Sequence, residues 1–229
     1  MTAMSERLAD AGDMFAAHTM FRREFGLMPG LVRAVAAGDT RRATLVADHV
    51  ALVSDVLTLH HSGEDRHIWP LLRARCPRQF GSLAGLMEDQ HRVIDICCLR
   101  VRKAEKAWRD SGGSADARDE LADAIDWLVP ANSGHLAVEE EGAVPLIEKH
   151  LTQAEYALLA RDGKAGISPD QLLTIFGMTM YEADPAVIGT VVAQLPAEHQ
   201  PVIEDLAAKA YAAYAQELYE TATPARVTG

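Results

Sequence analysis

Six side chains recur at a spacing that suits metal chemistry. From His60 the sequence reads HHSGEDRHIWPLL, and from His135 it reads HLAVEEEGAVPLI. Both stretches share one frame: a histidine, three residues, a glutamate, a second acid, four residues, then Pro-Leu. A further histidine precedes each copy, His18 lying 42 residues before His60 and His91 lying 44 before His135. On an α-helix, residues four apart share a face, with Cβ atoms about 5–6 Å apart. His60 with Glu64, and His135 with Glu139, therefore project as two-toothed donor pairs. His18 and His91 add one nitrogen each, so six donors converge if four helices face one another.

That donor set fits two ions better than one. A carboxylate can chelate one ion or bridge two, and nitrogen and oxygen donors without thiolate suit iron, manganese or zinc. Four imidazoles and two bridging carboxylates make about eight bonds, whereas two six-coordinate ions need about twelve. A bridging oxide or hydroxide and some open positions make up the difference, and open positions at iron suit oxygen chemistry. Taken singly, each piece has an ordinary meaning. A buried histidine is commonly a hydrogen-bonded core residue, and a helical His-x-x-x-Glu is commonly a surface pair. The duplication in register, with matched outlying histidines, is what favours metal.

The elements that must position these residues read as helices throughout, because no segment alternates β-branched and polar residues for long. A first helix is expected over 7–37, with Met14, Phe15, Phe21, Phe25 and Met28 on a helical repeat and Pro29 kinking or dividing it. Gly38 and Asp39 read as a stop and an N-cap. A second helix runs from Thr40 past Glu64 and decays at Pro70 and Pro77. A third spans 83–109 and ends at Ser111-Gly112-Gly113, and a fourth spans 115–148, bent near Pro130 and Gly134. Four long helices on short connections imply an up-down-up-down four-helix bundle. The expected division is residues 1–151 as the bundle with the dinuclear site and 152–229 as a C-terminal helical extension. In that extension Thr152 and Ser168 look like N-caps, Gly163 and Gly166 punctuate, and a last helix covers 197–219.

Composition agrees with a globular chain, 48% hydrophobic and 24% charged over 229 residues. The net charge of −11, from 22 basic and 33 acidic residues, disfavours nucleic acid and anionic membrane as partners. No signal peptide opens the chain and no apolar run approaches a membrane span. Cys76, Cys97 and Cys98 form no paired framework, so free thiols in a reducing cytoplasm are expected.

His18, His60-x-x-x-Glu64, His91 and His135-x-x-x-Glu139, with Trp69-Pro70-Leu71 and Val144-Pro145-Leu146 downstream, resemble the hemerythrin-like (HHE cation-binding) family. The resemblance covers residues 10–150, and the HHSGED stretch is especially similar to actinobacterial versions. It implies a bundle holding a non-haem di-iron centre that binds dioxygen, peroxide or nitric oxide, or that senses iron and oxygen. Two departures stand out. The oxygen carriers of the family have a second histidine one turn after the helix-three histidine, where this chain has Asp95. Their helix-four acid follows its histidine by five residues, whereas Glu139 follows His135 by four. Fewer nitrogens and more oxygens favour the ferric state, hence peroxide turnover or sensing over reversible oxygen carriage.

Several neighbours are candidates for secondary roles. His61 is either an added ligand or a pocket residue, a relative that senses iron having an acid at the same place. Asp95 either binds metal or holds His91 through a hydrogen bond. His67, like His61, is a candidate proton carrier, or a partly exposed residue without a role. Asp65 and Glu140 read as solvated or as partners of ring N–H groups. Met14, Phe21, Val56, Leu57, Met87 and Ile94 are expected around the site, with Ala131 and Gly63 leaving space.

Two functions from different classes follow. One is an enzyme-like reaction of a di-iron centre with a peroxide or diatomic ligand, catalase-like with hydrogen peroxide, in oxidative or nitrosative stress. The other is a sensing or binding protein without turnover, signalling through residues 152–229, which would also carry any protein partner or self-association.

Overall fold

A computed structural model of the chain describes residues 7–162 and 167–227. Among the described residues every regular element is helical: α1 (Gly12–Arg33), α2 (Thr40–Gly63), α3 (Trp69–Arg75), α4 (Pro77–Asp110), α5 (Ala115–Gly142), α6 (Val144–His150), α7 (Gln153–Asp162), α8 (Pro169–Met180), α9 (Pro185–Val192) and α10 (Ile203–Tyr219). The all-α, hemerythrin-like bundle expected from the sequence is the observed fold class. Gly163 and Gly166, read as punctuation, lie outside the described residues.

The chain forms two compact units, one of Met1–Asp10 and Glu24–Gly163 and one of Ala11–Arg23 and Lys164–Gly229. Helix α1 contributes its first half to the second unit and its second half to the first.

In the first unit, α2, α4 and α5 are consecutive antiparallel neighbours. Asp48 near the start of α2 pairs with Arg109 near the end of α4 at 2.7 Å, while Asp65, just past α2, meets His91 at 2.9 Å. Gly112 and Gly113 turn the chain between α4 and α5 with φ of 65° and 80°, a conformation in which a Cβ would be strained. Ser114 then caps α5 by accepting from the Ala117 N–H. Asp39 caps α2 in the same way through the Arg42 N–H. Buried Val46, Val50, Val53 and Leu57 of α2, Met87 and Ile94 of α4, and Leu121, Ile125 and Leu128 of α5 make the core. Their spacing of three and four residues is the apolar stripe that a bundle helix needs.

The prolines behave differently from the expectation. Pro29 lies inside α1, which continues to Arg33. Pro70 does not end the second helix by decay but sits in the first turn of α3, directly after the π-helical turn, and the helical run continues to Arg75. Pro77 likewise starts α4, which begins six residues before the expected Leu83. Pro145 occupies the same place in α6. The repeated Pro-Leu of the two stretches therefore encodes a short terminal helix, α3 after the first copy and α6 after the second. Between α2 and α3 the residues Glu64–Ile68 form a π-helical turn, in which the Trp69 N–H donates to the Glu64 carbonyl five residues back.

Thr40–Arg75 is long and apolar enough to cross a membrane by length and composition alone. It carries His49, Ser54, His61 and Glu64 buried within the first unit, as a core helix does. Phe15, expected on the apolar face of the first helix, is exposed, whereas Met14, Phe21, Phe25 and Met28 are buried.

Helix α7 belongs to the first unit although the sequence pattern changes before it. Thr152 and Glu155 form a reciprocal cap: the Glu155 N–H donates to Thr152 Oγ1 at 3.3 Å, and the Thr152 N–H donates to Glu155 Oε2 at 2.9 Å. Glu155 also receives both guanidinium nitrogens of Arg75, at 2.5 and 2.8 Å, which ties α7 to the end of α3. Leu159 of α7 lies over Gly63, where an added Cβ would sit 2.5 Å from Leu159 Cδ1. The space expected beside the site at Gly63 is thus filled by a side chain from beyond the repeat.

In the second unit α8 and α10 pack against each other, and Ser168 opens α8 with a full capping box. The contact is close because Gly177 has no side chain: a Cβ there would meet the Ala207 carbonyl oxygen at 2.0 Å. Arg23 of α1 is buried in this unit. It donates to Glu182 at 2.7 Å and to the Met178 carbonyl at 2.6 Å, with Tyr181 and Tyr211 rings about its guanidinium.

Candidate metal centre

Helices α2, α4 and α5 each bring buried donors to the interior of the first unit. His61, Glu64, His91 and His135 each offer a ligand atom, and these atoms lie within 4.8 Å of one another. Ligand atoms of His60, Glu64 and Glu139 lie within the same 4.8 Å limit of one another. Glu64 belongs to both groups. His60 Nε2 is 2.9 Å from Glu64 Oε1, His91 Nε2 is 3.5 Å from Glu64 Oε2, and His135 Nε2 is 3.6 Å from Glu139 Oε2. The rings are layered as well. His61 stacks on His91 with centroids 4.4 Å apart, and His135 stands edge-on to both, at 4.8 Å from His61 and 4.6 Å from His91.

Of the sequence candidates, His60, His61, Glu64, His91, His135 and Glu139 are thus brought together within one unit. His18 is fully buried in the first half of α1, the part of that helix belonging to the second unit. Asp95 is exposed, and the acceptor for His91 Nδ1 is Asp65 Oδ1. His67 is half-buried on the π turn. His49, to which the sequence pattern assigns nothing, is fully buried on α2, 3.3 Å from Glu24 Oε2 of α1.

Residues without a signal in the repeat also surround the donors. Gln90 Oε1 accepts from His135 Nδ1 at 3.3 Å. The Trp69 ring packs between Phe80 and His91, at 5.5 and 6.1 Å. Trp69 belongs to the quoted motif, and its apolar ring just before Pro70 was the available sign. Gln90 had none.

Electrostatics follow from burial of acids among imidazoles. Burial raises the Glu64 carboxyl, but His60, His91 and His61 outweigh it and hold the group well below the usual range. Glu139 is pushed well above the usual range by burial and then by the neighbouring Glu64 charge. Burial disfavours the charged form of His91, yet Asp65 and Glu64 raise it to about 9. Burial, followed by His91, drives His61 well below the usual histidine range. Both His61 ring nitrogens are buried without a hydrogen-bond partner among the described residues. Leaving such a group unpaired costs about 1–3 kcal/mol, so a bound cation is the partner that fits.

A family model for the hemerythrin HHE cation binding domain matches residues 11–147, and the chain belongs to that family. No curated protein and no solved structure matches the chain. Membership implies metal-ion binding, typically of iron, and the clustered His and Glu side chains fit it.

Proposed function

We propose that the protein is a non-haem di-iron protein that binds or reacts with a small dioxygen species (peroxide, dioxygen or nitric oxide) in oxidative or nitrosative stress. The observation that carries this reading is Glu64, a carboxylate common to two donor groups, as a bridge between two ions requires. His61, His91 and His135 with Glu64 would hold one ion, and His60, Glu64 and Glu139 the other. Zinc or manganese would suit the same donors less specifically. Bound iron supplies redox change and open coordination positions.

The chain's own residues define the rest. Glu64 enters the site ionised, whereas Glu139 and His91 give up protons when metal binds. The Trp69 ring packs beside His91, and Leu159 fills the space over Gly63, next to Glu64 in the chain. His67, half-buried and three residues past Glu64, would be the proton carrier between the site and solvent. With peroxide the balanced reaction is disproportionation of two hydrogen peroxide molecules to two waters and dioxygen. Oxygen evolution by iron-loaded wild type, compared with His60→Ala, tests it: a rate at least about tenfold lower in the variant is expected. Equal rates would remove the catalase-like reading.

A sensing role has one specific observation behind it. The half of α1 that carries His18, one of the histidines of the sequence pattern, folds with the described residues 167–227 rather than with the other candidate donors. That unit would then carry the output, or a protein partner. Protease cleavage within residues 164–229 that is identical in metal-free, reduced and oxidised protein would exclude it. The three thiols are free, in keeping with a cytoplasmic setting for either role.

A further inference from the structure

The three imidazoles of the first donor group are alike in burial and unlike in what holds them. His61 has no hydrogen-bond partner on either nitrogen. His135 Nδ1 meets the neutral Gln90 amide oxygen at 3.3 Å. His91 Nδ1 meets the carboxylate of Asp65 at 2.9 Å. An ionised carboxylate only accepts, so Nδ1 of His91 carries the hydrogen and donates it. Nε2 is then the nitrogen turned inward, 3.1 Å from His135 Nε2 and 3.5 Å from Glu64 Oε2.

Asp65 reaches His91 because of where it stands. It follows Glu64 directly and lies in the π turn Glu64–Ile68. One widened turn therefore delivers two carboxylates to adjoining parts of the same site. Glu64 is fully buried against His60 and His91, while Asp65, 47% exposed, takes the far side of the His91 ring. Asp95, the other acid near His91 in sequence, is exposed.

We propose that Asp65 is a positioning residue for the metal centre: it commits His91 to offer Nε2 to the ion and strengthens that nitrogen as a donor. This rests on the metal reading above and deepens it. A ring whose second N–H is shared with a carboxylate is oriented before metal arrives and is the more basic ligand. An ion held by His61, His91 and His135 would have an anion-backed ligand in His91, and its higher oxidation state would gain most from it.

The experiment compares full-length wild type, Asp65→Asn and Asp65→Ala in anaerobic titration with ferrous iron, followed by spectroelectrochemical reduction of the loaded proteins. The asparagine keeps an acceptor for Nδ1 and loses the charge, whereas the alanine loses both. Asp65→Ala is expected to bind iron about 10–100-fold more weakly. Asp65→Asn is expected to keep the wild-type stoichiometry with a smaller loss of affinity and a more positive midpoint potential. A purely structural role would leave that potential unmoved. Wild-type affinity and potential in Asp65→Ala, or in Asp65→Asn should the alanine variant not fold, would overturn the proposal while the metal reading stands. Absence of metal uptake by the wild type would overturn both.

Discussion

His61 lies stacked on His91, the two rings 17° from parallel with centroids 4.4 Å apart. Both imidazoles are buried, they come from adjacent helices, and neither nitrogen of His61 has a hydrogen-bond partner among the described residues. His61→Leu keeps most of the volume and removes two unpartnered nitrogens. Metal-free His61→Leu should be more stable than metal-free wild type, by about 1–3 kcal/mol. Its metal affinity should fall by at least about tenfold. Thermal unfolding with and without iron measures both, and a variant that is less stable in both forms contradicts the expectation.

Metal uptake should release protons and strengthen as pH rises. His91, raised to about 9, is charged at neutral pH in the metal-free protein, and burial with the neighbouring Glu64 charge shifts Glu139 towards its protonated form. Both must lose a proton to bind, so apparent affinity should climb up to about pH 9. The same shift has the opposite sign for the metal-free fold. A histidine raised from 6.5 contributes stability that is whole below 6.5 and is lost as pH rises through about 9. Indicator-dye proton release and metal-free melting curves across that range check the pair.

The tie between Arg75 and Glu155 should show itself in acid. The Arg75 guanidinium, with the Thr152 cap, lowers Glu155 from 4.5 to about 2, against a smaller effect of burial. A depressed carboxylate contributes stability that is present above 4.5 and lost as pH falls through about 2. Glu155→Gln should remove that part of the acid dependence, leaving a flatter melting profile between those limits. The pair is partly exposed, so the effect is modest and shrinks with salt.

Gly177→Ala should damage the second unit. The added methyl would fall 2.0 Å from the Ala207 carbonyl oxygen and 2.8 Å from Tyr211 Cβ, so α8 and α10 must separate. Overpacking of this kind costs about 1–3 kcal/mol and more when backbone is the obstacle. Earlier protease cleavage within residues 164–229 is the expected sign, and an unchanged pattern would contradict it.

The donor pairs were legible because the i,i+4 spacing of His60–Glu64 and His135–Glu139 survives any detail of packing. The bundle was legible for a related reason: Val46, Val53, Leu57, Met87 and Ile94 repeat at helical intervals. Asp65 could not be chosen over Asp95 from the sequence, since both stand near a histidine in some helical register. Their difference arises from the π turn, which moves one residue in and whose cause is not written in a local motif. Leu159 was hidden because its role depends on a glycine nearly a hundred residues away in the chain. Pro70 was misread as an ending because proline signals a helix start and a helix stop with the same letter.

The covering of Gly63 by Leu159 has a consequence for how such chains can diverge. The family match ends at residue 147, so every candidate ligand lies inside it and the residue that covers Gly63, next to Glu64 in the chain, lies outside. Positions 63 and 159 are therefore free to change only as a pair: a larger residue at one is admissible where the other has become smaller. A lineage that exchanged its C-terminal segment for another would inherit an intact set of donors under a different roof. Solvent access to the same metal could then be retuned without altering a single ligand.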